Sequence, residues 1–366
     1  MGNLMPEGIG IALSRRYYQT VVAPILRDHY PAMQHAACRI GLGSEVLGFD
    51  TETSADHDYG PSVQIFVPEA EFATSAGDIM TTLDRHLPTS FEDRTVRYPS
   101  YVRAPADGRA SGMQGSDHGV ELYTVPAWCE RYLGRQFAED LAARDWLSYS
   151  EQHFLTVTAG AVFQDDFGEV TALRNRLSYF PRDVWLYKLA AQWGRIAEER
   201  AYIDRTGDVG DELGSRVIAT RMAGNLMRLA LLVERRYAPY PKWFGTAFSR
   251  LECAPELGPI LLKIMTAPDW REREAAIKLA CEFVAELQMM KEVPGATAPV
   301  QGSLHNRPFQ FVDSLKIFEG LRAAINDQEL RQLPEFGGVD QYLSSNFVLA
   351  VPGFSEATLT ALWQHQ

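Results

Sequence analysis

No stretch of this sequence is apolar enough for long enough to span a bilayer. The longest run, around Leu226 to Val233, is interrupted by Arg228 and falls short of the roughly 20 residues a spanning helix needs. The opening Met-Gly-Asn-Leu-Met-Pro has neither the basic nor the apolar region of a secretory signal, and Pro6 stands where N-myristoylation wants Ser or Thr. A cytoplasmic protein with no membrane partner is therefore expected. Cysteine is sparse: Cys38, Cys129, Cys253 and Cys281 are scattered with no C-x-x-C pair, which excludes a disulfide framework and points to small reduced core thiols. The eight histidines never take zinc-site spacing. A basic stripe is also missing, because 35 Lys and Arg face 47 Asp and Glu for a net charge of −12. Gripping long nucleic acid by its backbone requires such a stripe, so a small molecule or a protein is the expected partner.

What is present is an ordinary globular composition, 46% hydrophobic and 22% charged over 366 residues, which is long enough for two domains. The apolar spacing predicts a helix over Ile9 to His29. Strands are expected at Ala36 to Leu42, Ser62 to Val67, Arg94 to Val102 and Val120 to Val125. Pro68 opens a helix to about His86, Pro126 starts another, and Ala106 to Gly119 reads as a loop. From about Trp146 the pattern turns helical. Helices are expected over Asp183 to Tyr202, Asp211 to Tyr237, Gly245 to Cys253, Asp269 to Lys291, Phe311 to Asn326 and Ser355 to Gln364, with a loop from Val293 to Pro308. The expected architecture is α+β, a mixed sheet with helices over residues 1–145 followed by an all-α bundle over 146–366.

The informative stretch is G-L-G-S-E-V-L-G-F-D-T-E-T-S-A-D-H-D-Y-G-P, Gly41 to Pro61. A dinucleotide fingerprint fails because Val46 stands where its third glycine belongs. A Walker A loop fails because Phe49 and Asp50 replace Lys-Ser/Thr, and a carboxylate there would repel a triphosphate. A third reading fits. A strand ends at Gly43-Ser44, where backbone N–H groups, the Ser44 hydroxyl and a helical turn favour a phosphate. Asp56 and Asp58 follow at i, i+2, a spacing that in extended chain puts two hard oxygen ligands on one face, as magnesium requires. His57 points to the opposite side, and Glu45 and Asp50 read as solvated turn residues. Pro61 cannot donate to a ladder, so either the strand begins after it or a bulge intervenes.

This segment resembles the DNA polymerase beta-type nucleotidyltransferase superfamily, which pairs a Gly-Ser turn with a downstream Asp-x-Asp. In the fuller form G-S-E-V-L-G-F-D-x-x-x-S-x-D-H-D-x-G it is similar to bacterial nucleotidyltransferase-like proteins that carry domain of unknown function family 4037. The similarity continues through V-T-A-G-A-V-F-Q-D-D (Val157 to Asp166), L-A-A-Q-W-G-R-I (Leu189 to Ile196) and R-R-Y-A-P-Y-P-K-W-F-G-T-A-F (Arg235 to Phe248). The resemblance implies a nucleotidyltransferase-type N-terminal sheet and transfer of a nucleoside monophosphate from a nucleoside triphosphate to a small-molecule or protein acceptor, with release of pyrophosphate. It implies two magnesium ions on Asp56 and Asp58. It also implies a third carboxylate, for which Glu121 is the candidate because it alternates away from Val120 and Leu122; Asp117 is the next choice. Cations for the triphosphate are expected from Lys242, flanked by Tyr240 and Trp243, and from Arg174 and Arg176. His305 and Asn306 are candidates for an acceptor site, and Asp165-Asp166 reads as a turn before a helix. The competing reading is an inactive or regulatory nucleotide-binding or protein-interaction module of toxin–antitoxin type.

Overall fold

The apolar spacing from Ile9 onward folds as one helical run to His29, but not as a uniform helix. A computed structural model describes residues 8–51, 60–97, 118–137, 140–303 and 310–364. The run consists of α1 (Ile9–Tyr17), a π-helical turn (Tyr18–Val22) and α2 (Ala23–His29). Pro24 has no N–H to return to the preceding turn, and the Ala23 N–H reaches five residues back to the Tyr18 carbonyl, which widens the ladder there.

The described residues fall into two compact units: Met1–Asp140 with His153–Ser178, and Leu141–Gln152 with Tyr179–Gln366. In the first, β1 (Ala36–Arg39), β2 (Val63–Phe66), β5 (Val120–Tyr123) and β6 (Ala161–Asp165) form a sheet in the order β5-β2-β1-β6. The β1 strand is antiparallel to both neighbours, whereas β2 and β5 run parallel. The connection from β2 to β5 contains α3 (Glu69–His86) and a short hairpin of β3 (Ser90–Phe91) and β4 (Arg94–Thr95). After β5 comes α4 (Val125–Leu133), whose N-terminus is capped by the Thr124 hydroxyl accepting the Ala127 N–H.

Alternation along the strands divides the sheet into two faces. Ala37, Val63, Ile65, Val120 and Leu122 join Tyr17, Val22, Leu26, Ile79 and Leu83 in one apolar core. Cys38, Gln64, Phe66, Glu121 and Tyr123 take the other face, beside Trp128 and Tyr132 of α4.

In the second unit the elements are helices apart from a two-stranded antiparallel pair, Gln301–Ser303 with Gln310–Val312; the first strand lies inside the stretch expected to be a loop, and the second takes the place where the helix expected from Phe311 was to begin. Its helices include α5 (Ala143–Ser148), α8 (Arg182–Glu199), α9 (Tyr202–Asp208), α10 (Glu212–Val233), α11 (Pro241–Phe248), α12 (Ala254–Thr266), α13 (Trp270–Met290) and α14 (Ser314–Ala323). Val184 through Trp193 are all buried, so α8 is covered on every side and forms the centre around which α10 and α14 pack. One expected helix is displaced: it begins at Pro241, a good first position for proline, and ends at Phe248 rather than running from Gly245 to Cys253. Two more helices, α6 (Glu151–Thr158) and α7 (Glu169–Arg176), flank β6. The chain is α+β.

All four cysteines are buried and unpaired, and burial pushes the Cys129 and Cys281 thiols up to about 12. Among the described residues no helix is long and apolar enough to cross a membrane.

Candidate functional site

The apolar strand β1 ends in a charge, Arg39, and then in the turn Gly41 to Gly48. Gly43 takes a φ of +134°, which a side chain would resist. The turn closes through Phe49 N–H to Ser44 O at 2.9 Å and Gly48 N–H to Glu45 O at 3.1 Å. It is fastened to the last turn of α6 by the Gly41 N–H donating to Thr156 O, and to the segment just after that helix by the Gly160 N–H donating to Val46 O. The Arg39 guanidinium donates to the carbonyls of Ile40 at 2.8 Å and Leu42 at 3.1 Å, and pairs with the Glu45 carboxylate.

Gln64 connects this turn to the parallel strand. Its Oε1 accepts the Ile40 N–H at 3.0 Å, and its Nε2 lies 3.5 Å from Glu121 Oε2. Glu121 is half-buried, in register with Gln64 and opposite in sense to the core residues Val120 and Leu122, as the alternation predicts. Tyr132 of α4 lies close enough for the Glu121 charge, after burial itself, to raise its phenol above the ordinary range. Burial works against the charge on Arg131, but Tyr123, Tyr132 and Glu121 outweigh it and raise its pKa. Sequence reading missed Gln64, Arg39 and Tyr132. The available signal was a polar side chain inside V-Q-I-F, a position that alternation assigns to the face away from the core, and a charge closing A-A-C-R before the glycines.

Asp56 and Asp58 lie outside the described residues, as do His57, Asp117, His305 and Asn306. Among the described residues no three His, Cys, Asp or Glu side chains gather as a metal cluster. Pro61 precedes β2, which begins at Val63, so the strand does start after the proline. Gly43, Ser44 and Glu121 are thus brought to one end of one sheet. The other candidate residues have different surroundings. Arg174 caps the C-terminal end of α6, donating to the carbonyls of Val157 at 2.6 Å and of Thr158 and Ala159 at 2.8 Å. Arg176 donates to the Phe137 carbonyl and lies 4.0 Å from Asp140. Lys242 belongs to the second unit, exposed on α11 with its ammonium 4.9 Å from the Trp243 ring centre. The expected solvated turn residues are also engaged: Glu45 pairs with Arg39, and Asp50 accepts the Gly10 N–H at 2.8 Å in the first turn of α1. Asp165 ends β6 and accepts the Gly168 and Thr171 N–H groups at the start of α7.

In the second unit a buried charge cluster fixes the segment that leads into Lys242. Lys188 lies 2.9 Å from Asp340 Oδ1 and 3.3 Å from Glu151 Oε1, and Arg228 approaches both carboxylates at 3.6 Å. Burial pushes both acids up. Lys188 and Arg228 hold Asp340 at about 2, while Glu151, repelled by Asp340, stays above the usual carboxylate range. Glu151 Oε2 accepts the Ala238 N–H at 2.6 Å, and Gln152 Oε1 accepts the Tyr240 N–H at 3.1 Å. Two adjacent side chains therefore hold the backbone just before α11.

Residues 146–244 match the family described as Domain of unknown function (DUF4037). This stretch contains V-T-A-G-A-V-F-Q-D-D and L-A-A-Q-W-G-R-I and most of the third segment on which the family resemblance stands, so that resemblance holds here. Among solved structures, the chain is similar to a nucleotidyltransferase-like protein from Exiguobacterium sibiricum 255-15, at 10% identity and a TM-score of 0.33, over 80% of this chain and 82% of that one. No curated protein matches the chain.

Proposed function

We propose that the chain is a magnesium-dependent nucleotidyltransferase that moves a nucleoside monophosphate from a nucleoside triphosphate to a hydroxyl of a small-molecule or protein acceptor. The observation that carries this reading is the Gln64 bridge, which joins the glycine turn ending β1 to the Glu121 carboxylate on β5. A phosphate-favouring turn and a carboxylate at one end of a sheet are the parts such a transfer needs within a few ångströms of each other.

In this reading the Gly43-Ser44 turn binds the phosphate chain through backbone N–H groups and the Ser44 hydroxyl. Glu121 takes the proton from the acceptor hydroxyl, the oxygen attacks the α-phosphorus, and the bond to the β-phosphate oxygen breaks to release pyrophosphate. Asp56, Asp58 and Glu121 are the side chains that would hold magnesium, and their all-oxygen, anionic donors suit that hard cation. When bound, magnesium neutralises phosphate charge. Lys242 remains a candidate for further neutralisation. Arg174 is a poorer one, since its donors are engaged by three carbonyls.

The test is pyrophosphate release from each nucleoside triphosphate in the presence of magnesium and an acceptor library. Release is expected from the wild type and not from an Asp56→Asn, Asp58→Asn double variant of unchanged circular dichroism. Full turnover by the folded double variant rules the assignment out.

A further inference from the structure

The Gly43 turn is not empty of negative charge. A β-carbon built on Gly43 would stand 2.5 Å from both carboxylate oxygens of Glu45, so that carboxylate occupies space available only because residue 43 is glycine. Its partner is Arg39, and both side chains are 13% exposed, which shields the pair from the screening that weakens surface ion pairs. The Ile40 and Leu42 carbonyls orient the guanidinium independently of Glu45. Among the described residues Glu45 is the one carboxylate paired with Arg39, and the buried Arg39 Nε has no hydrogen-bond partner. Arg39 also belongs to the neighbourhood of Glu121, since both charges act on Tyr132.

A guanidinium fixed by backbone carbonyls, with one donor unused and a carboxylate resting against a glycine, is arranged as an anion site filled by the chain's own side chain. Phosphate carries more charge than a carboxylate and offers more acceptor oxygens to the planar fork of an arginine. We infer that Glu45 is an internal competitor for this seat, and that a phosphate of the bound nucleotide displaces Glu45 and takes over Arg39. The inference rests on the proposed nucleotide binding and adds two residues to it: Arg39 as a phosphate ligand and Glu45 as the group that sets how tightly phosphate binds.

The probe is inorganic tripolyphosphate in magnesium-free buffer, titrated calorimetrically into the full chain and its variants. Glu45→Gln keeps the length of the side chain and removes its charge, so it is expected to bind about tenfold tighter than wild type. Glu45→Ser, which cannot reach Arg39, is expected to show the same gain and serves if the Gln variant does not fold. Adding Arg39→Ala to either is expected to abolish the gain. Equal affinity in wild type and the Glu45 variants overturns the inference, as does absence of tripolyphosphate binding throughout or a gain that survives Arg39→Ala. If tripolyphosphate behaves as expected while no nucleoside triphosphate is turned over, the phosphate seat stands and nucleotidyl transfer falls.

Discussion

Gln64 and Glu121 face each other across the parallel strands β2 and β5, and Gln64 serves the Ile40 N–H with its other amide atom. Gln64 is 4% exposed, so a substitution there leaves polar groups stranded rather than rehydrated. Gln64→Leu is expected to cost about 1–3 kcal/mol, because the Ile40 N–H loses its acceptor in a buried site. Chemical denaturation monitored by circular dichroism measures this. An unchanged midpoint would show that the bridge is not a fixed element of the site.

Arg174 provides a sharp contrast between two roles. As the cap on α6 it serves three carbonyls at once with a planar fork, a geometry that lysine cannot reproduce. Arg174→Lys is therefore expected to lower stability by about 2 kcal/mol. A triphosphate ligand would behave differently: the same variant would melt like wild type and lose nucleotide affinity. Parallel thermal melts and nucleotide titrations separate the two.

Asp204 in α9 predicts a dependence on pH. It is 1% exposed, neither carboxylate oxygen has a hydrogen-bond partner among the described residues, and burial, with Glu274 adding to it, pushes its pKa up to about 7. The folded state thus holds a proton that the unfolded chain releases near 3.8, and stability falls as pH rises between those values. Above pH 7 the full penalty applies, and below the unfolded value none does. Asp204→Asn is expected to be more stable than wild type by about 2 kcal/mol at pH 8, with the gap closing toward pH 4. Melting curves across that range check it, and a gap independent of pH would refute the assignment.

Most of the first sheet was legible from residue order. The β5 strand announced itself by alternation, with Val120 and Leu122 facing one way and Glu121 and Tyr123 the other, and β2 likewise by the alternation along Ser62 to Val67. The β6 strand was not legible. All five of its residues are half-buried, so neither a clean alternation nor a fully apolar run marks it, and it follows a helix within a stretch that otherwise reads as helical. The π turn at Tyr18–Val22 was hidden for a different reason, because its side chains keep a helical spacing while the backbone ladder changes beneath them. In the site, the glycine turn and Glu121 were visible as residue types. The Gln64 bridge was not, since it depends on the parallel pairing of strands separated by a long connection.

The pairing of β1 with β6 bears on the order in which the molecule can form on the ribosome. Synthesis delivers β1, β2 and β5 well before Ala161–Asp165, and until then β1 presents an unpaired edge to whatever it meets. By the time β6 emerges, Leu141–Gln152 has already left the tunnel, although it belongs to the unit completed by the C-terminal helices. Neither unit is therefore one continuous piece of chain, and a nascent polypeptide released near residue 145 would carry the glycine turn and Glu121 on a sheet still missing an outer strand.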